Sequence, residues 1–247
     1  MTLIQVINPN TSRAMTADIE RTAREVAGPG VTIAAVTSAM GPTSIESHYD
    51  EALAVPGVLA AVAAGVANGA DAHVIACFGD PGLAAAREIA TGPVVGIAEA
   101  AMHVATVLGR SFSVVTTLSR TIGHTADLAA CYGFAGACAG VHACDIPVLE
   151  LDSSDARGLI GKACAEALAT DACDSIVLGC AGMTGLAGEL REQLGVPVID
   201  GVAAAVKLAE AITGLGLRTS KRDEYAMPRA KPVTGLLSGF SRTAAAD

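Results

Sequence analysis

The chain predicts an α/β fold of two similar lobes from an internal duplication, each a parallel sheet flanked by helices, with the active site in the cleft between them. Three observations carry this. Strand-like runs rich in β-branched residues alternate with Ala-rich stretches of helical length, the pattern of βαβ units. The order of these elements repeats once along the chain. The 247 residues also suffice for two lobes of roughly 100 residues each. The division expected is residues 1–97 with about 215–247 in the first lobe, and 98–214 in the second.

In order, the strands expected in the first half are Leu3–Ile7, Val31–Val36, Ala72–Ala76 and Val94–Ile97. Those in the second are Phe112–Thr116, Ile146–Leu151, Ser175–Leu178 and Val196–Ile199. Helices are expected over 12–27, 50–69, 80–90, 98–108, 121–132, 153–170, 184–194 and 202–214. DAHVIACFGDPGL (Asp71–Leu83) matches DSIVLGCAGMTGL (Asp174–Leu186) at an offset of 103 residues. GPVVGIAEAA from Gly92 likewise matches GVPVIDGVAAA from Gly195. A repeat of this length implies a pseudo-twofold cleft at the carboxyl ends of the two sheets, where open α/β sheets bind ligands. From Ser220 onward the chain reads as an extended segment wrapping over the first lobe, or as a partly disordered tail.

Composition excludes several function classes. Hydrophobic residues make up 51% of the chain but aromatics only 3%, with no Trp, so the core is built from Ala, Val, Leu and Ile. A net charge of −9 leaves no basic stripe for nucleic acid. Ala52–Ala70 contains Pro56 and much Ala and Gly, and reads as too weakly hydrophobic for a membrane span. The N-terminus MTLIQVINPNTS has no basic residue ahead of its apolar run and reads as a strand rather than a signal peptide. A cytoplasmic location and free thiols, seven Cys in all, follow as expectations. There is no nucleotide-binding glycine motif, so no such cofactor is expected.

Chemistry concentrates at Cys77 and Cys180. Each ends a buried strand before a Gly-containing turn, and the helix after that turn is expected to lower the thiol pKa. A lone buried Cys is commonly inert, but matched placement in both repeats points to a pair facing one substrate. Two such groups suit inversion of a carbon acid next to a carbonyl, one removing a proton and the other delivering one to the opposite face. The developing oxyanion requires donors. The candidates are the turn amides of Phe78, Gly79, Asp80, Ala181 and Gly182, with Asn8, Asn10, Thr11 and Ser12 in NPNTS and Thr116, Thr117 and Ser119 in VVTTLS. Helix capping explains the latter polar groups equally well. The Asp80 carboxylate could orient a substrate amide or cap the following helix.

No metal is expected, because the spacing of Cys131, Cys138, His142 and Cys144 differs from zinc-ligand patterns. Cys164, Cys173 and His103 read as packed side chains. His48 leads into a helix, with a loop over the cleft as the functional alternative.

At INPNTS (Ile7–Ser12), PTSIESHYDE (Pro42–Glu51), CFGDPGL (Cys77–Leu83), VVTTLSRT (Val114–Thr121) and LGCAGM (Leu178–Met183), the chain resembles the aspartate/glutamate racemase superfamily, and within it the hydantoin racemase branch. The resemblance spans nearly the whole chain, including Lys221, Tyr225, Pro228 and Lys231. It implies a homo-oligomer that needs no pyridoxal phosphate or other cofactor. The implied substrate is a 5-monosubstituted hydantoin, with 1,1-proton transfer at C5 and Cys77 and Cys180 as the bases. Amino-acid racemases typically follow the first Cys with Asn-Thr and the second with Thr-His, whereas here Phe78-Gly79 and Ala181-Gly182 follow. That departure disfavours free aspartate or glutamate. Related decarboxylases typically keep one cleft Cys, and this chain keeps both. Allantoin, itself a 5-substituted hydantoin, is the alternative substrate, because allantoin racemases share these motifs. A catalytically silent small-molecule binding protein is the competing class.

Overall fold

The computed structural model describes residues 1–242, so the last five residues of the tail lie outside the described residues. The first sheet comprises β1 (Thr2–Asn8), β2 (Val31–Thr37), β3 (Ala72–Ile75) and β4 (Val94–Gly96), in the order β2-β1-β3-β4. The second comprises β5 (Phe112–Thr116), β6 (Cys138–Ala143), β7 (Ser175–Leu178) and β8 (Val198–Ile199), in the order β6-β5-β7-β8. All pairings are parallel, with Val6 opposite Val74 in one sheet and Val114 opposite Val177 in the other. The two orders are the same when each strand number rises by four, which is the duplication expressed as topology. Central strands β3, β5 and β7 are buried along their whole length, because helices cover both faces of a parallel sheet.

Helices α1 (Arg13–Val26), α2 (His48–Ala67), α3 (Leu83–Ile89) and α4 (Ile97–Leu108) accompany the first four strands. Helices α5 (Ile122–Cys131), α6 (Ala156–Asp171), α7 (Ala187–Leu194) and α8 (Gly201–Gly214) accompany the second four. Ser12 caps α1 by accepting from the Met15 amide, and Asp200 caps α8 by accepting from Ala203, each satisfying a free amide of a first turn. Helix α2 corrects the hydropathy argument made from sequence. An 18-residue window of it reaches a mean hydropathy of 1.5, so it is apolar enough by length and composition to cross a membrane. Here Ala54, Gly57, Val58, Ala61, Val62 and Gly65 are buried, against β1, β3 and α3.

Helices α4 and α8 cross each other and exchange lobes: α4 packs on β7, while α8 packs on β1, β3 and β4. One core therefore joins Val6, Val74 and Val95 of the first sheet to Val114, Val177 and Ile199 of the second through Ala101, Ala105, Ala205 and Ala209. Small residues let the two helices approach closely. At Gly201, a Cβ would stand 2.8 Å from the Ile97 carbonyl oxygen, so any side chain would force the crossing apart.

Two elements differ from the sequence reading. The second-lobe edge strand is Cys138–Ala143, not Ile146–Leu151, whose centre is a short 3-10 turn at Val148–Glu150. Pro147 has no amide to give a ladder, while the partly buried edge strand tolerates the weak β-formers of CAGVHA. The helix after Cys77 also starts later than expected, at Leu83. Asp80 and Gly82 take φ values of 45° and 73°, which no helix accommodates. Thr219, Lys221 and Tyr225 of the tail lie against the end of α3 and the start of β4, and the chain beyond Met227 is largely exposed up to Arg242.

Candidate active site

A cavity of about 180 Å³ opens at the carboxyl ends of the two sheets. Ala76, Cys77, Phe78 and Gly79 enter it from the end of β3, and Gly179, Cys180 and Ala181 from the equivalent end of β7. Asn10 follows β1, and Thr116 and Thr117 close β5. The structure thus brings both cysteines and six of the eight expected binding residues to one cavity.

Each thiol has an amide at hand. The Gly182 N–H donates to Cys180 Sγ at 3.3 Å, and the Gly79 amide acts similarly on Cys77. Burial nevertheless pushes both thiols up, Cys180 to about 11 and Cys77 above the ordinary thiol range, where Cys180, Glu51 and Asp80 add to the effect. This corrects the expectation of depressed values. The helices after the two cysteines begin six and seven residues further on, at Leu83 and Ala187, so their positive ends lie beyond the first-turn range of a helix dipole.

Asp80 and Gly182 are the two expected binding residues absent from the cavity lining. Asp80 turns away, with 5% of its surface exposed. Its carboxylate accepts from the Ala98 and Glu99 amides at 3.2 and 3.0 Å and from the Tyr132 hydroxyl at 2.7 Å. It caps α4, a different helix from the one expected, and burial raises its carboxyl to about 7. Gly182 commits its amide to Cys180 rather than to a ligand. Among the polar candidates, Asn10 accepts from Asn8 and from the Ser12 amide and gives one N–H to Met15 Sδ. Ser12 is a cap, Thr11 bonds to the Pro42 carbonyl, and Ser119 is tied to Asp145. Thr116 and Thr121 share a hydroxyl bond of 2.9 Å.

Other side chains in the cavity wall escaped the sequence reading: Glu46, Glu51, Arg120 and His124. Glu46 accepts from the Val148 amide at 2.9 Å, tying the segment before α2 to the second lobe. His124 Nε2 is 3.0 Å from Glu51 Oε1. That is an ion-pair distance, but the N–H is not aligned on the oxygen, and Nε2 is buried without a hydrogen-bond partner. Glu51 holds the His124 pKa above the ordinary imidazole value despite partial burial. Gly79 makes room for that carboxylate, since a Cβ there would stand 2.2 Å from Glu51 Oε1. Glu46 and Glu51 lie in the PTSIESHYDE motif and Arg120 in VVTTLSRT; nothing marked His124.

Of the other cysteines, Cys131 is exposed on α5, Cys164 and Cys173 are buried, Cys138 is half-buried on β6, and Cys144 is half-buried behind the cavity wall, donating to the Thr117 carbonyl. His142 pairs with Asp171 at 2.6 Å, and His103, exposed, meets the Phe134 ring edge-on. Iodoacetamide at pH 7 is therefore expected to label Cys131 first without loss of activity. With a pKa near 11, alkylation of Cys180 is expected to run about a hundredfold slower than for an ordinary thiol and to rise about tenfold per pH unit toward that value. Peptide mapping across pH 7–10 checks this; rapid labelling of Cys180 at pH 7 contradicts the burial argument.

A duplicated α/β fold with a cysteine from each half in one cleft is the architecture of a racemase, and the chain belongs to the Asp/Glu/Hydantoin racemase family, whose model matches residues 4–209. It is an isomerase. The chain is 48% identical to a hydantoin racemase of Rhizobium meliloti, over 94% of this chain and 97% of the relative. It is 45% identical to a hydantoin racemase of Pseudomonas sp. (strain NS671), over 97% of each. Among solved structures, an allantoin racemase from Klebsiella pneumoniae superposes with a TM-score of 0.96 at 51% identity, covering 98% of this chain and all of that one.

Proposed function

We propose that this racemase inverts C5 of 5-monosubstituted hydantoins by two-base proton transfer between Cys77 and Cys180. The observation that carries the reading is the placement of both thiols at equivalent ends of β3 and β7 in one cavity. One sulfur, as thiolate, takes the C5 proton; the other, as thiol, returns a proton to the opposite face, and the pair exchanges roles after each turnover. The Gly79 and Gly182 amides act on the sulfurs, lowering the cost of the thiolate that burial raises. The turn amides of Phe78 and Ala181, the second N–H of Asn10 and the Thr117 hydroxyl, all on residues that line the cavity, are candidates to meet the enolate oxygen. A silent binding protein would have no use for the two thiols. Assembly as a homo-oligomer is proposed on the strength of the resemblance alone.

A second reading, allantoin as the preferred hydantoin, is favoured by the polar wall of Glu46, Glu51, Arg120 and His124, which suits a ureido substituent better than a benzyl one. Loss of optical rotation from pure enantiomers of 5-benzylhydantoin and allantoin, after dialysis against EDTA and with no pyridoxal phosphate, tests both readings. Racemisation of at least one is expected without added metal. No turnover of any hydantoin would overturn the assignment, and activity restored only by a metal would overturn the two-thiol mechanism.

A further inference from the structure

Proton transfer between two thiols makes no use of His48, Glu51 and His124, yet their donor atoms converge within 4.8 Å of one another at the wall of the cavity. His48 and Glu51 stand at i and i+3 in the first turn of α2 and so share a face. His124 comes from the first turn of α5, in the other half of the repeat. His124 Nε2 to Glu51 Oε1 is 3.0 Å, and His48 Nδ1 to Glu51 Oε2 is 3.8 Å. The two distances run to different carboxylate oxygens, and the 4.8 Å spread of the three donor atoms is wider than the spacing of about 3.3 Å between ligand atoms of a four-coordinate zinc with bonds of about 2.0 Å, so the set must draw together to hold an ion. The His48 side chain is 79% exposed and free to close the remaining gap.

A second observation points to a ligand. His124 Nε2 is buried beside Glu51 yet has no aligned hydrogen-bond partner, a state that an ion between imidazole and carboxylate would relieve. Two imidazoles and one carboxylate form a borderline-soft donor set suited to zinc and its neighbours rather than to calcium or magnesium. All three residues line the same cavity as Cys77, so a fourth coordination position would open toward the substrate.

We propose that His48, Glu51 and His124 bind a divalent ion of the zinc class, and that the bound ion obstructs the cavity and inhibits the racemase. The inhibitory half rests on the racemase reading; the binding half does not.

The test uses the full chain, dialysed against EDTA, in a Cys77→Ser/Cys180→Ser background so that the cavity thiols cannot hold the metal. Zinc stoichiometry by equilibrium dialysis, and the visible absorption of added cobalt(II), report binding without reference to activity. One ion per chain is expected, with at least a tenfold weakening in His48→Ala and in His124→Ala. His48→Ala keeps the test decisive if the more buried His124 variant misfolds. Binding lost with the thiols, or unchanged in His48→Ala, would overturn the site. With both thiols present, zinc is expected to inhibit racemisation, and His48→Ala to need at least tenfold more zinc for half-inhibition of its own metal-free rate. Ion binding with no inhibition of an active enzyme would overturn the inhibitory half. Binding at the three residues by a chain inactive on every hydantoin would sink the racemase reading and leave the metal site standing.

Discussion

Cys77→Ser and Cys180→Ser are each expected to abolish racemisation, a loss of about a thousandfold or more, because a hydroxyl keeps the shape of the thiol but supplies no comparable acid or base near neutral pH. The two variants need not be equally inert toward proton exchange. A surviving thiolate can still remove the C5 proton from the enantiomer whose hydrogen points at it, and return a solvent deuteron to the same face. In D2O, at least one single variant is expected to exchange one enantiomer with retention and leave the other nearly untouched. The complementary variant, if it exchanges at all, shows the opposite preference. Chiral chromatography with mass detection reads both outcomes at once. A variant of either cysteine that racemises at near wild-type rate refutes the pair, and equal exchange of both enantiomers by one variant points instead to a single mobile base.

Asp80→Ala is expected to destabilise the fold by about 3 kcal/mol, since it strips a helix cap and leaves buried donors without an acceptor. The donors are the Ala98 and Glu99 amides and the Tyr132 hydroxyl, and alanine also suits the positive φ at this position less well than aspartate. Asp80→Asn keeps an oxygen acceptor and tolerates that φ, so about half the loss is expected. The pH dependence has a definite sign. Burial raises the folded carboxyl to about 7, above an unfolded value near 3.9. Its contribution is therefore fully present below about pH 4 and is lost as pH rises toward 7. Urea titrations at pH 4.5 and 7.5 should show the wild-type advantage over Asp80→Asn narrowing with pH. A constant gap would contradict the raised carboxyl, and an unchanged midpoint for Asp80→Ala would show that the network contributes nothing.

Most strands were legible because a parallel sheet covered on both faces demands continuous β-branched runs, as at Val74–Ile75 and Ile176–Leu178. The edge strand Cys138–Ala143 was not, since it is only half covered and its residues carry no such signature. Cys77 and Cys180 were legible through the repeat, which matches them at one offset. Their raised pKa values were not, because burial of each sulfur is what raises them, and the distance to the helix expected to lower them depends on φ values that only the turn geometry reveals. Asp80 was assigned to the cleft because it is three residues from Cys77. A positive φ at residue 80 sends the side chain the other way, and no spacing rule reports that. His124 and Glu51 lie 73 residues apart and meet only through the packing of two helices from different halves.

The crossing of α4 and α8 has a consequence for how such a chain could have arisen. Each repeat ends in a helix that lies on the other repeat's sheet. A single repeat standing alone would have the apolar face of its last helix pointing at a sheet it does not possess, and a bare patch on its own sheet where that helix belongs. Two separate copies would satisfy both by trading their terminal helices, which is domain swapping. A swapped pair of half-length chains joined end to end would have this architecture, with the cleft that takes one cysteine from each half lying between the two copies.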